Sequence, residues 1–587
     1  MTSVSIVSTT RLWAAARSSA RLPRVRVAWL LFWVLIIALL VLPITFFLLV
    51  AISPRLFGQG DQWLSLDAWR SVASPAFLPA VLDSLAVGLA AGVAATALGA
   101  VVAWVVQRTD LPLRQFWGGA MFALLLVPSY LIALGWQRLV EAGGVLDVLG
   151  VPDLALRQLI YGPVGVVLVL AVKGLPFAYL AISSALRGLG DEFEAAARVH
   201  GAGRWAATRI VIALLAPAGW SAFAIVFAES VSDFGVGATL ASAAHFPLAT
   251  YALYNAVEAF PVDFPTAAAI GWVLLAMAGL ALWAQNHAMR GRSYQVLNGR
   301  SRTARLHVLR GPGRWGTLTG LWLLMAMAIG VPVFGAVSAS LVRGLGSLTT
   351  SHDLTLDNYR RVLDSPALHE PLLFSLEMGL VTATATITLA LVASRLLASG
   401  TSGPAGRALD LLLLTAVALP GIVFAAGYIF TYNLPVMNTL GIHIYQTDVL
   451  LFLAYVATAL PSTTRVLVGS VSQVHASLPA AARVHGSGPA RSWLHATLPL
   501  LARPMISAWL LVFSGTLLEL PVSELLYVPG QPPLAVGITK TLATYDFGGG
   551  TAMEVLAIMV ALGVMGVVWG AWALFAPRGW RRLGVAA

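Results

Sequence analysis

Apolar residues in this chain do not alternate with polar ones. They run together in blocks of about 20 residues, separated by shorter stretches that carry most of the charge. A helix rising about 1.5 Å per residue needs a block of that length to cross roughly 30 Å of hydrocarbon. Such windows lie near 27–52, 82–106, 117–136, 162–185, 217–238, 266–287, 315–342, 372–397, 408–431, 448–470, 504–526 and 552–575. They predict about twelve spans and an all-α integral membrane fold. Pro128 and Pro420 interrupt two of the windows, which a spanning helix tolerates where neighbours satisfy the freed carbonyl. The first window follows Arg11, Arg17, Arg21, Arg24 and Arg26. At about 25 residues it exceeds the roughly 7–15 of a signal peptide and reads as an uncleaved first span.

Composition sharpens the picture. Of 587 residues, 58% are hydrophobic and only 10% charged, against roughly 25% charged in a soluble protein. That excludes a soluble multidomain enzyme, a disordered chain and a nucleic-acid-binding protein. The net charge of +11 belongs to the loops, and the absence of cysteine excludes disulfides, iron–sulfur clusters and thiolate metal sites.

Arginine placement orients the spans. Arg290, Arg292, Arg300, Arg302, Arg305, Arg310 and Arg314 lie between the sixth and seventh windows. Arg187, Arg198, Arg204 and Arg209 follow the fourth, Arg483, Arg491 and Arg503 the tenth, and Arg578, Arg581 and Arg582 the last. Segments 239–265 and 432–447 contain neither Lys nor Arg. The positive-inside rule then puts both termini in the cytoplasm, as an even number of spans requires.

The chain also repeats itself. Leu64-Ser65-Leu66-Asp67 resembles Leu354-Thr355-Leu356-Asp357, and Ser84-Leu85 resembles Ser375-Leu376. Pro128 with Gly135 matches Pro420 with Gly427, and Ala195 to Gly203 recurs as Ala480 to Gly488. A near-constant offset of about 285–292 residues predicts two six-span halves in the same orientation, a parallel repeat about an axis along the membrane normal. The expected division is a first repeat over 1–288, an Arg-rich cytoplasmic linker over 289–314 and a second repeat over 315–587.

The repeated loop carries the strongest motif. Asp191, Glu192 and Glu194 open a short helical stretch at the end of a helix that favours acids. Ala195, Ala196 and Arg198 continue it, and Gly201 and Gly203 permit a sharp turn before a second helical stretch from Arg204 to Leu215. The second copy uses Ala480, Ala481, Arg483, Gly486 and Gly488, followed by Leu498-Pro499. A cytoplasmic helix–turn–helix suits insertion into a groove on another protein, and two copies suggest two partners. His200 and His485 occupy matching positions in it and read as interface rather than metal ligands.

These two loops resemble the coupling-loop signature of bacterial ATP-binding-cassette (ABC) importer permeases, although Ala195 and Ala480 stand where the signature has glutamate. Ser232-Asp233-Phe234-Gly235 and Glu519-Leu520-Pro521-Val522-Ser523-Glu524 make the resemblance closest to fused ferric-iron-type permeases. Permeases for thiamine, phosphonates, sugar phosphates and polyamines are alternatives. The resemblance implies a pore-forming subunit of the bacterial inner membrane, served by two ATPase subunits, identical to each other, and by a periplasmic or lipid-anchored substrate-binding protein. ATP and magnesium belong to the ATPase subunits. No Gly-Lys dipeptide occurs, so the chain has no phosphate-binding loop of its own and no cofactor is expected in it. A secondary transporter remains the alternative class; it has no use for paired coupling loops.

Carboxylates inside apolar windows are costly and usually face a bundle interior. The repeat makes Asp233 and Glu519 equivalent. Glu229, Glu524 and Glu377 join them as candidates to line a path for a cation, with no metal site assigned. The alternative is that they cap broken helices or pair with arginine at the outer membrane edge.

Overall fold

The computed structural model describes residues 22–289, 306–344, 354–398 and 403–577, apart from positions 144, 149, 152, 153, 191 and 476. Asp191, most of the expected linker, the arginines before residue 22 and Arg578, Arg581 and Arg582 lie outside the described residues. Among the described residues, ten helices are long and apolar enough to cross a membrane, or up to twelve if each of two bent pairs is one span. The protein is an all-α, multi-pass membrane protein.

One series of elements runs α1 (Trp29–Val50), α2 (Leu78–Arg108), the bent pair α3 (Arg114–Leu126) and α4 (Ser129–Val140), and α5 (Pro163–Gly188). It continues with α6 (Glu192–Val199), α7 (Arg204–Ser232), α8 (Ala249–Glu258) and α9 (Phe264–Met289). The second series begins with α10 (Pro312–Ser340), α11 (Pro366–Ala398), the bent pair α12 (Gly403–Ala418) and α13 (Gly421–Tyr432), and α14 (Asp448–Ser472). It ends with α15 (Ser477–Val484), α16 (Leu498–Leu517), α17 (Pro521–Leu526), α18 (Leu534–Ala543) and α19 (Phe547–Phe575).

The two series agree in detail as well as in order. Both α1 and α10 contain a π-turn, Ile37–Val41 and Ala326–Gly330, with Pro43 or Pro332 just beyond it. The Ser84 and Ser375 hydroxyls accept the Ala249 and Leu534 N–H groups at the starts of α8 and α18, each at 2.8 Å. Asp263 and Asp546 accept the Thr266 and Gly549 N–H groups of α9 and α19, each at 3.0 Å. Caps of this kind satisfy amide groups that a helix start leaves without partners.

Four expected spans are built differently. The windows at 117–136 and 408–431 are not continuous helices: α3 and α4 meet at 98°, and α12 and α13 at 110°. Proline has no N–H to donate and pushes the preceding residue out of helical conformation; Val127, before Pro128, is extended. The expected short helical stretch from Arg204 and the span at 217–238 are one helix, α7, which continues through Pro217 and stops at Ser232. Likewise the window at 504–526 breaks after Leu517, before α17.

The first helix of each series seats on the bent pair of the other. Gly427 of α13 lies against Pro43 of α1, where an added Cβ would stand 2.8 Å from the Pro43 carbonyl oxygen. Gly135 of α4 lies against Pro332 of α10, where it would stand 2.3 Å from the Pro332 Cα. Only glycine permits backbones to approach so closely. Apolar packing follows the same exchange: α1 buries Ile36, Leu40 and Phe47 in a cluster with Val423 and Phe424 of α13, while Leu321, Met325 and Ala328 of α10 join a cluster built from α2 to α7.

Candidate functional site: a cavity at the join and two repeated loops

The breaks after α7 and α16 put two carboxylates at equivalent places. Asp233 closes α7, and its Oδ1 accepts the Val236 N–H at 2.8 Å. Glu519 follows α16 and accepts the N–H groups of Val522 and Ser523 at 2.9 and 3.0 Å, with the Ser523 hydroxyl at 3.0 Å. Each carboxylate thus caps the helix that follows it, where converging N–H groups favour negative charge. Both also line one cavity of about 560 Å³ between the two series. At roughly 30 Å³ per water, that volume admits a hydrated or chelated ion. Capping and lining, the alternatives left open by the sequence, therefore coexist in the same residues.

The cavity walls come from both series. Pro128, Ser129 and Tyr130 of one elbow line it together with Pro420 and Gly421 of the other. The α7 wall adds Glu229, exposed into the space, and α5 adds Lys173. The opposite wall is mostly hydroxyl: Tyr455, Thr458, Ser462 and Thr463 of α14 with Ser514 and Thr516 of α16. Counted from the shared prolines Pro176 and Pro461, Lys173 corresponds to Thr458; counted from Asp233 and Glu519, Glu229 corresponds to Gly515. The two walls therefore differ by one acid and one base.

Two expected lining residues are elsewhere. Glu377 is exposed on α11 and takes no part in the cavity. Glu524 sits within α17, beyond the lining, where the charges of Lys540 and Glu258 act on it. Proximity in sequence to Glu519 misled for Glu524, because one helical turn past Pro521 carries the side chain away. Sequence reasoning missed two further charges: Lys173, and Glu554 of α19, buried with its Oε2 lacking a hydrogen-bond partner among the described residues. Both lie inside apolar windows, so the rule that singled out the other acids would have found them.

The repeated loops fold alike. α6 and α15 each end at a glycine with positive φ, +80° at Gly201 and +83° at Gly486. The Ala202 N–H returns to the Ala197 carbonyl at 2.9 Å and the Ser487 N–H to the Ala482 carbonyl at 3.0 Å, the left-handed helix ending that glycine favours. Ala196, Arg198, His200, Gly201 and Gly203 are exposed on one loop, and Ala481, Arg483, His485, Gly486 and Gly488 on the other. Val199 and Val484, 84% and 85% exposed, project from the tips. Ala195 and Ala480 are half-buried, and Pro499 is buried at the start of α16.

The loops differ beneath the tips. Glu194 is buried under α6, 4.0 Å from the imidazole of His307, which also stacks on Trp104. His307 is held by backbone bonds to Arg108 and Asp110, so the chain entering α10 braces the first loop. Under α15, Pro479 stands in place of Glu194, and its carbonyl accepts the Ser492 hydroxyl at 2.8 Å. Among the described residues, no three His, Asp or Glu side chains gather as a metal site.

The chain is 22% identical over 551 residues to a ferric transport system permease protein of Actinobacillus pleuropneumoniae, covering 90% of this chain and 76% of that one. A counterpart from Haemophilus influenzae named for the same transport is 23% identical over 491 residues, 80% of this chain and 74% of its own. The sulfate transport system permease protein CysT of Escherichia coli is 26% identical over 220 residues, 37% of this chain but 78% of that one. No family model matches. These similarities, with the fold, support an ABC transporter permease. Within that class they support the fused, ferric-type family, since its members match along most of the chain while the sulfate permease is matched by little more than a third of it.

Proposed function

We propose that this protein is the translocation subunit of a binding-protein-dependent importer that moves ferric iron across the bacterial inner membrane by alternating access. The two series act as tandem permease repeats, 1–288 and 315–587, joined by a cytoplasmic linker, with both termini cytoplasmic. Two identical ATPase subunits dock on the loops at Glu194–Gly203 and Ala480–Gly488, bind ATP and magnesium, and supply the hydrolysis that the chain itself does not perform. A periplasmic or lipid-anchored binding protein delivers the substrate. The observation that carries the substrate class is the cavity lined by Asp233 from one series and Glu519 from the other, with Glu229 one helical turn from Asp233. Three carboxylates and one ammonium leave a lining that attracts cations and repels sulfate or phosphonate.

The test is uptake by the complete complex in proteoliposomes, with radioactive ferric iron and sulfate compared. The Asp233→Asn, Glu519→Gln pair should lower iron uptake at least tenfold, while assembly and basal ATP hydrolysis persist because amides still accept the capping N–H groups. Undiminished iron uptake, or uptake of sulfate in its place, would overturn the reading.

A further inference from the structure

Lys173 is one of only two lysines in the chain. Its ammonium donates to the carbonyl oxygens of Leu125 and Val127 at 3.1 and 2.9 Å. Leu125 lies in the last turn of α3 and Val127 just beyond it, and their carbonyls are left without helical partners because the chain turns at the elbow. A cation there also complements the negative end of the α3 dipole. On the other side of the elbow, the Ser129 side chain faces the Asp233 carboxylate at the start of α4. The first elbow is thus completed by a base on its carbonyl side and an acid on its amide side.

The second elbow has the same backbone and only the acid. The Val127 N–H reaches the Leu124 carbonyl at 3.3 Å, and the Leu419 N–H reaches the Ala416 carbonyl at the same distance. Counted from Pro128 and Pro420, Val417 and Leu419 correspond to Leu125 and Val127, and both line the cavity. Glu519 Oε1 lies 3.7 Å from where a Cβ on Gly421 would stand, so the acid is in place. At the lysine position stands Thr458, whose hydroxyl bonds within its own helix to Ala454 and Tyr455. Among the described residues, no side chain donates to the Val417 or Leu419 carbonyls.

We propose that these two carbonyls, with the Thr458 hydroxyl and the Glu519 carboxylate, form a seat for a hard cation, and that Lys173 is the tethered occupant of the matching seat in the first half. The ammonium shows what the backbone geometry of an elbow binds. Carbonyl, hydroxyl and carboxylate oxygens form the donor set that hard cations prefer. One seat is permanently filled by the protein and the other serves the cargo, so the pathway has a single stop on one wall. The proposal rests on the cavity being the cation path and locates the stop within it.

Terbium(III), a soluble trivalent ion that binds hard oxygen ligands and luminesces when a nearby aromatic ring sensitises it, is the probe. It is titrated onto the full chain in nanodiscs of zwitterionic lipid, with Tyr455 on the same wall as sensitiser. The wild type should bind one ion saturably. Thr458→Lys should weaken that binding at least tenfold, and Lys173→Thr should raise the stoichiometry from one ion to two. Unchanged size-exclusion profiles and melting temperatures separate both results from misfolding; if Thr458→Lys does not fold, the stoichiometry of Lys173→Thr decides alone. The seat is overturned by wild-type affinity in Thr458→Lys, or by Lys173→Thr gaining affinity without a second site, which would mean that the acids alone hold the ion. A wild type that imports ferric iron yet binds no terbium overturns the seat and leaves the pathway standing.

Discussion

The two exchanged seats, α1 on α13 and α10 on α4, share a backbone and differ in chemistry. In the first, Pro43 leaves the Leu39 carbonyl without a helical partner, and the Tyr428 hydroxyl donates to it at 2.9 Å. The Tyr432 hydroxyl serves the Ala38 carbonyl at 2.8 Å, and Phe430 packs on Phe47, Phe57 and Phe264. In the second seat the position of Tyr428 is held by Trp136, whose indole N–H has no hydrogen-bond partner among the described residues, and that of Phe430 by Arg138. Arg138 stacks over Phe547 at 4.0 Å and pairs with Glu141, while Glu554 stands buried nearby. Where Glu554 stands, counted from the capping aspartates, the first seat has Gly271. Duplication has kept the prolines, the glycines and the π-turns that fix the crossing. The side chains around the crossing have diverged, one set toward aromatic packing and the other toward buried charge.

Substitutions at matched positions would break that contrast in a graded way. Arg138→Leu should have the largest effect, destabilising by about 3 kcal/mol because it strands Glu141 and Glu554, whereas Phe430→Leu should cost about 1 kcal/mol. Adding Glu554→Gln should recover part of the Arg138→Leu loss; thermal unfolding in nanodiscs measures all three, and equal losses at Arg138 and Phe430 would remove the distinction. Next come the crossings themselves. Gly135→Val should destabilise by about 2–3 kcal/mol and exceed Gly427→Val, since its new Cβ meets backbone at 2.3 rather than 2.8 Å; the yield of monodisperse protein on size exclusion ranks them. The smallest contrast is between the ring polar groups. Tyr428→Phe should lower stability by about 1 kcal/mol by stranding the Leu39 carbonyl, while Trp136→Phe should stay within about 0.5 kcal/mol.

Much of the fold was legible because spans and repeats are written in composition and order. The elbow prolines were visible too, but not that they bend the chain by about a right angle. The bend depends on what receives the freed carbonyls: Lys173 lies 48 residues from Leu125 in sequence, and nothing local marks that pairing. For the candidate site, Asp233 and Glu519 followed from the repeat, and Glu229 lies one turn from Asp233 on the same face. Glu377 and Glu524 did not follow, because hydropathy reports depth in an apolar block and not the side of the helix. The repeat also hid something: aligning like with like drew attention to shared acids and away from Lys173 and Glu554, which have no counterpart in the other half.

The exchanged seating also sets a timetable for synthesis. When α10 emerges, α4 is already made and can receive it. For α1 the order is reversed: about 370 residues separate Val50 from Gly421, where α13 begins. At about 5–20 residues per second, α1 stands in the bilayer for roughly 20–75 seconds before its seat exists. During that interval the Ala38 and Leu39 carbonyls lack the tyrosine hydroxyls that will receive them. Nascent first halves are therefore the stage at which this protein most depends on insertion machinery to shield a polar notch in an otherwise apolar helix.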